Sequence, residues 1–209
     1  MKTVNMKIEQ NKVANKQLGF SLIELVIVIV VLGLLAATAI PRFIDVTKDA
    51  EDAATAAVAG SFATGVSLVR SQWEVDGRPS GNSSSDEVAI LIGGLEVGID
   101  RDTGYPTGHV VNDDSTEDTE IVDEDCQSIF SLLLQSPPSI TADWDTSTAS
   151  DFNYFTNASQ NTGIQNNDTC TFYLMRTVKN LNSEPLSTLV GNGFTYDPRI
   201  GQVSFFSNN

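Results

Sequence analysis

The chain has 209 residues, room for one ordinary domain besides an N-terminal segment, and is acidic: 12 Lys and Arg face 27 Asp and Glu, a formal charge of −15. Beyond residue 19 the balance is 8 basic to 26 acidic side chains, or −18, so the body repels phosphate backbones and nucleic-acid binding is disfavoured. Two cysteines, with no CxxC and no Cys/His cluster at metal-ligand spacing, argue against a zinc or redox motif.

Residues 1–18 are polar and basic, with Lys2, Lys7, Lys12 and Lys16 against the single acid Glu9. This is the pattern of a segment retained in the cytoplasm. From Phe20 to Ile40 only Ser21, Glu24 and Thr38 are polar. About 20 apolar helical residues cross a bilayer, so 20–40 is long enough to do so. Glu24 is the anomaly, because a carboxylate at the centre of a membrane helix costs at least about 2.5 kcal/mol.

From Pro41 onward apolar residues recur at helical spacing: Phe43, Val46, Ala50, Ala54, Ala57, Phe62, Val66, Val69 and Trp73. The pattern predicts one helix over about 21–74, some 80 Å at ~1.5 Å per residue. Its first half (20–40) is apolar all round and its second (41–75) amphipathic. Pro41 should bend or loosen it, and DGRP at 76–79 should end it. The remainder, 76–209, reads as a β-rich head. Short β-prone pieces lie at 88–92, 171–175, 193–196 and 202–206, the last two suggesting a terminal hairpin around DPRIG at 197–201. Residues 127–135 predict a short helix stopped before Pro137 and Pro138, and the Asn/Ser/Thr/Asp-rich stretch 141–169 reads as long surface loops. The fold class expected is α+β, a long N-terminal helix laid on a small antiparallel sheet.

The N-terminus admits three readings. A secretory signal peptide would be cut after the A-T-A at 37–39 and release a soluble periplasmic binding protein starting at Ile40. A plain membrane anchor is the second, and neither accounts for Glu24. In the third the chain is cut after Gly19, creating a Phe20 amine one helical turn from Glu24. That amine, or a neighbouring copy's, neutralises the carboxylate inside the apolar layer, where an unpaired charge is penalised and a paired one tolerated. Glu24 then sets registry between copies, the best-attested use of a polar group in an apolar bundle.

The heptapeptide GFSLIEL at 19–25 resembles the cleavage and methylation motif of type IV pilins and type II secretion pseudopilins. Gly33 and Pro41 fall where pilin helices carry helix-loosening residues. The resemblance implies a type IV pilin-like fold and a cleaved leader at 1–19. It further implies a membrane prepilin peptidase that cuts between Gly19 and Phe20 and methylates the Phe20 amine. Implied partners are other pilin subunits, an inner-membrane platform protein, an assembly ATPase and an outer-membrane secretin. A narrower likeness, to the mannose-sensitive haemagglutinin (MSHA) pilus proteins and their MshB-like minor pilins, runs through several patches. These are AIPRF at 39–43, SLVRSQW at 67–73, GYP at 104–106, DC at 125–126, LQSPP at 134–138 and CTFY at 170–173. It implies a subunit, major or minor, of a surface filament used for attachment. A type II secretion pseudopilin is the alternative within the class.

In an exported protein Cys126 and Cys170 read as a disulfide, worth roughly 4 kcal/mol on chain entropy for a loop of about 45 residues; two buried free thiols are the alternative. Residues 113–125, with eight acids in thirteen positions, admit a calcium site, but they lack the D-x-D-x-D-G spacing and equally fit a solvated loop. His109, the sole histidine, makes no metal site alone. Trp73 belongs to the apolar helical face, and Trp144 sits among polar residues as a candidate surface contact. Asn82, Asn157 and Asn167 begin N-x-S/T patterns of low specificity. No nucleophile–base set, phosphate loop, cofactor site or metal site emerges, so an enzyme is disfavoured.

Overall fold

The structure is a computed structural model describing residues 19–81, 87–108 and 116–208. Helix α1 runs Leu22–Val75, within a residue of the ends expected from periodicity. The chain divides into two compact units, Met1–Val46 and Thr47–Asn209.

In the first unit the described residues are Gly19, Phe20, Ser21 and the opening turns of α1. The helix is unbroken through Pro41, although proline has no N–H for the carbonyl four residues back. Its Leu, Ile and Val side chains are exposed all round, from Leu22 at 79 % to Leu35 at 60 %.

In the second unit α1 buries Thr55, Ala59, Phe62, Val66, Val69 and Trp73, at alternating steps of four and three that keep one stripe facing inward. The stripe expected from sequence is right from Phe62 on and wrong before it. Ala50, Ala54 and Ala57 are exposed, because a run of small residues carries several overlapping periodicities and only Thr55 and Ala59 continue the line of Phe62.

Two sheets receive this helix. Strands β1 (Ala89–Ile92), β2 (Leu95–Ile99) and β3 (Pro106–Gly108) form an antiparallel sheet in that order. Val88, Ile90, Val97 and Ile99 pack there against Val69 and Trp73. The second sheet has the order β4 (Ile140–Thr141), β5 (Tyr154–Ser159), β6 (Thr169–Leu174), β7 (Gly193–Asp197), β8 (Gln202–Phe206). Here β4 is parallel to β5 and the rest are antiparallel. The α+β class expected, a long helix on antiparallel strands, is what the chain adopts, with the strands divided between two sheets and one parallel pair at the edge of the larger.

Helix α2 (Asp123–Leu133) lies beside α1 on the larger sheet. It starts four residues earlier than expected, because Asp123, Glu124 and Asp125 fill its first turn, where carboxylates meet the positive end of the helix dipole. The core between helices and sheet is aromatic. The Phe62 ring sits 5.2 to 5.4 Å from Phe172, Phe194 and Tyr196, and the Phe130 ring lies tilted against Tyr154 and Phe172 at 5.2 and 5.3 Å. The buried Tyr196 hydroxyl donates to the Pro106 carbonyl at 2.9 Å, tying the two sheets together.

The expectation of surface loops over 141–169 is overturned by β5, whose first four residues are buried. This strand is covered on both faces: Tyr154 turns to the helices, and Phe155 joins Tyr173, Met175 and Val178 under the short helix α3 (Met175–Val178). Strands buried on both faces lack the alternation that marks a half-buried strand. The strand's polar residues are satisfied instead, the Thr156 hydroxyl donating to Thr171 O at 3.1 Å and the Asn157 amide to Pro185 O at 2.8 Å.

Candidate functional site

The N-terminal constellation is built on the start of α1. Gly19 and Phe20 are non-helical and exposed, Phe20 at 91 %. Ser21 stands immediately before the helix. Its N–H and hydroxyl both donate to Glu24 Oε2, at 2.9 and 2.8 Å, while the Glu24 N–H donates back to Ser21 Oγ at 3.3 Å. This is a capping box, Ser-x-x-Glu, which satisfies the orphan donors of a helix start reciprocally. The reading of Glu24 as a charge awaiting an amine overlooked it. The signal was present in SLIE at 21–24 but was masked by the apolar run around it. Oε1 carries none of these bonds. From Leu22 on, the helix is long and apolar enough to cross a membrane, with none of its apolar stretch buried. Gly33 is exposed, with open space where a Cβ would stand.

In the head, Cys126 and Cys170 are joined by a disulfide with Cα atoms 5.5 Å apart. It links α2 to β6 inside the aromatic core, where both residues are fully buried.

The acidic segment does not converge on one point. His109, Asp113 and Asp114 lie outside the described residues. Glu117 pairs with Arg101, Asp123 Oδ1 accepts the Ala158 N–H at 2.6 Å, and Asp125 Oδ2 accepts the Val122 N–H at 3.0 Å. Asp118 is fully buried, its two oxygens 2.7 and 2.6 Å from Arg199 Nη2 and Nε. Burial first, then the charge of Asp100, pushes its carboxyl up to about 6; the attraction of Arg199 offsets this in part, and Glu117 and Asp197 add to it. Asp100 Oδ1 accepts the Thr103 N–H and hydroxyl at 2.8 and 2.7 Å, and Asp168 accepts N–H groups of Ile121 and Asn161 at 3.1 and 2.9 Å. These carboxylates knit loops together. Among the described residues no group of three or more His, Cys, Asp or Glu is placed to hold a metal ion.

Trp73 is core, its indole N–H donating to Pro79 O at 2.9 Å. Trp144, a candidate surface contact from its polar neighbours, is half-buried and edge-on against Phe155 at 5.0 Å. Asn157 and Asn167 are buried with their amide nitrogens engaged, by Glu184 and Pro185 and by Asp168 and Asp197, so neither is open to a sugar in the folded chain. Asn82 lies outside the described residues. An uncharged groove of about 550 Å³ runs between Ser61, Gly65 and Leu68 of α1 and the loop ending in Ser136 and Pro138.

The prokaryotic N-terminal methylation motif matches residues 14–40. The chain is also 42 % identical over 76 residues to the type IV narrow pilus major component PilA5 of Thermus thermophilus, a match covering 32 % of this chain and 64 % of that protein. It thus spans a little under two thirds of the length of the curated relative it matches. No solved structure matches.

Proposed function

We propose that this chain, which carries the prepilin methylation motif and is similar to a type IV pilin, is a structural subunit of a type IV pilus. The observation that carries the reading is the exposed, non-helical Gly19–Phe20 bond placed one turn ahead of Glu24 on an apolar helix. A prepilin peptidase would cut that bond and methylate the new Phe20 amine. Before assembly, residues 20–40 anchor the subunit in the inner membrane with its N-terminus cytoplasmic. In the extracellular filament the same apolar surface packs against other subunits, so little is gained or lost in hydrophobic energy. The paired charge decides where a helix stops: Glu24 of one copy meets a Phe20 amine of its own or a neighbouring copy. Gly33 and Pro41 give the helix local freedom to settle. An inner-membrane platform, an assembly ATPase and a secretin are the partners of this cycle.

Within the class, the patches at 39–43, 67–73 and 134–138 favour an MSHA-type attachment pilus over a type II secretion pseudopilin. A gene neighbourhood of pilus components supports the former and one of secretion components the latter. The soluble-protein reading is weakened because α1 runs unbroken through Ala37, Thr38 and Ala39, whereas a signal-peptide site is cut in extended backbone. Mass spectrometry of the mature N-terminus separates the two: methylphenylalanine at Phe20 supports the pilin, and isoleucine at Ile40 refutes it. Glu24→Ala should be cleaved largely as wild type yet enter filaments poorly. Normal filaments built from that variant would remove the registry mechanism.

A further inference from the structure

We infer that Ser21 is a positioning residue for maturation: its hydroxyl captures the Glu24 N–H and so keeps the Gly19–Phe20 bond outside the helix, where a peptidase can reach it. The inference rests on the prepilin reading above. In an α-helix each N–H bonds the carbonyl four residues back, so the scissile Gly19 carbonyl is covered only when the Ile23 N–H reaches it, and a continuous helix gets there only after the Glu24 N–H has bonded the Phe20 carbonyl. That N–H is taken by Ser21 Oγ at 3.3 Å. The first helical bond is therefore the Leu25 N–H to the Ser21 carbonyl at 3.2 Å.

A carbonyl inside a helix is hydrogen-bonded and flanked by side chains, so a peptidase must unwind it before attack. Phe20 is preceded by Gly19, which weakens a helix without stopping it, and followed by an apolar run with no proline, so the serine is the side chain that supplies a local stop. Ser21→Ala frees the Glu24 N–H for Phe20 and lets the helix run back over the scissile bond. Glu24→Ala does not, because the captured N–H belongs to the backbone. The two ends of one capping box are thus assigned different jobs, Ser21 for cleavage and the Glu24 carboxylate for assembly.

The test is a cleavage time course of the full-length precursor in membranes containing a prepilin peptidase, read by mobility shift and by mass of the new N-terminus. Ser21→Ala should slow the initial rate about fivefold, the population change an N-cap side chain typically controls. Ser21→Thr and Ser21→Asn retain a capping oxygen and should restore a rate close to wild type. Oxidation of the Cys126–Cys170 pair, followed in the same samples, should be unaffected in every variant. A Ser21→Ala rate equal to wild type overturns the inference, and so does equal slowing in the Ala, Thr and Asn variants. If the wild-type precursor itself is not cut after Gly19, it is the prepilin reading that fails, a separate outcome.

Discussion

Phe62→Ala removes the side chain on which α1 and the larger sheet meet. Phe62 has no exposed surface, and its ring lies 5.2 to 5.4 Å from three other rings and 6.4 Å from Phe130. Truncating a buried phenylalanine costs about 3–5 kcal/mol, the spread reflecting how far the site can collapse. Here the walls are two helices and a sheet stapled by the Cys126–Cys170 disulfide, so collapse is limited. Three close aromatic pairs add roughly 0.5–1.5 kcal/mol each beyond area burial, which places the loss at the upper end, about 4–5 kcal/mol. Against a typical total of about 5–15 kcal/mol, the variant is left marginal. Urea unfolding of the full chain in detergent, followed by the fluorescence of Trp73 and Trp144, should show the midpoint falling by about 2 M for a slope near 2 kcal/mol per M. Leu68→Ala, on the same helix but 60 % exposed, should change stability by no more than about 0.5 kcal/mol. A Phe62→Ala loss below about 2 kcal/mol, or an equal loss in the control, would refute the placement of the core.

Reducing the disulfide reopens a loop of 44 residues' separation and should cost about 4 kcal/mol, visible as a lower denaturation midpoint in reductant; unchanged midpoints would contradict it. Asp118 has a folded pKa of about 6 against an ordinary 3.8, so the folded chain holds that proton more tightly than the unfolded one. Its contribution to stability is therefore present below about pH 4 and lost as pH rises through 4 to 6, by at most about 3 kcal/mol. Relative to Asp118→Asn, the wild type should lose stability between pH 4 and 7, and parallel pH profiles would exclude the effect. Gly104 has φ +70° and an added Cβ would stand 2.3 Å from the Trp73 ring, so Gly104→Ala should destabilise by at least about 2 kcal/mol. A tryptophan emission shift would report it, and a wild-type melting temperature would argue against it.

The long helix was legible because its apolar run and its stripe from Phe62 to Trp73 are strong periodic signals, and DGRP ends them. The terminal hairpin was legible because its turn residues separate two β-prone runs. Strands β2 and β3 were missed because LEVGI and PTG are short and glycine-bearing, and β2 is set in place by Val97 and Ile99 packing on Trp73 and Val69 from elsewhere in the chain. Strand β5 was missed because its residues Thr156 and Asn157 are polar yet buried, made tolerable by partners 15 and 28 residues away. The Asp118–Arg199 pair, 81 positions apart, leaves no trace in local composition.

What the sequence by itself determined is the N-terminal pattern, a glycine, an aromatic, a serine and a glutamate at the head of a bilayer-length apolar run. Those residues lie within about one helical turn of each other, so their spacing along the chain is already their spacing in space. What only the tertiary structure decided is the head: which alanines face inward, which polar residues are buried, and which acids hold loops instead of meeting solvent. Burial and polar pairing in the head depend on residues distant along the chain, as when Asp52 of α1 receives the amide of Asn192 and the hydroxyl of Ser207, 140 and 155 positions away, and no local pattern encodes that meeting.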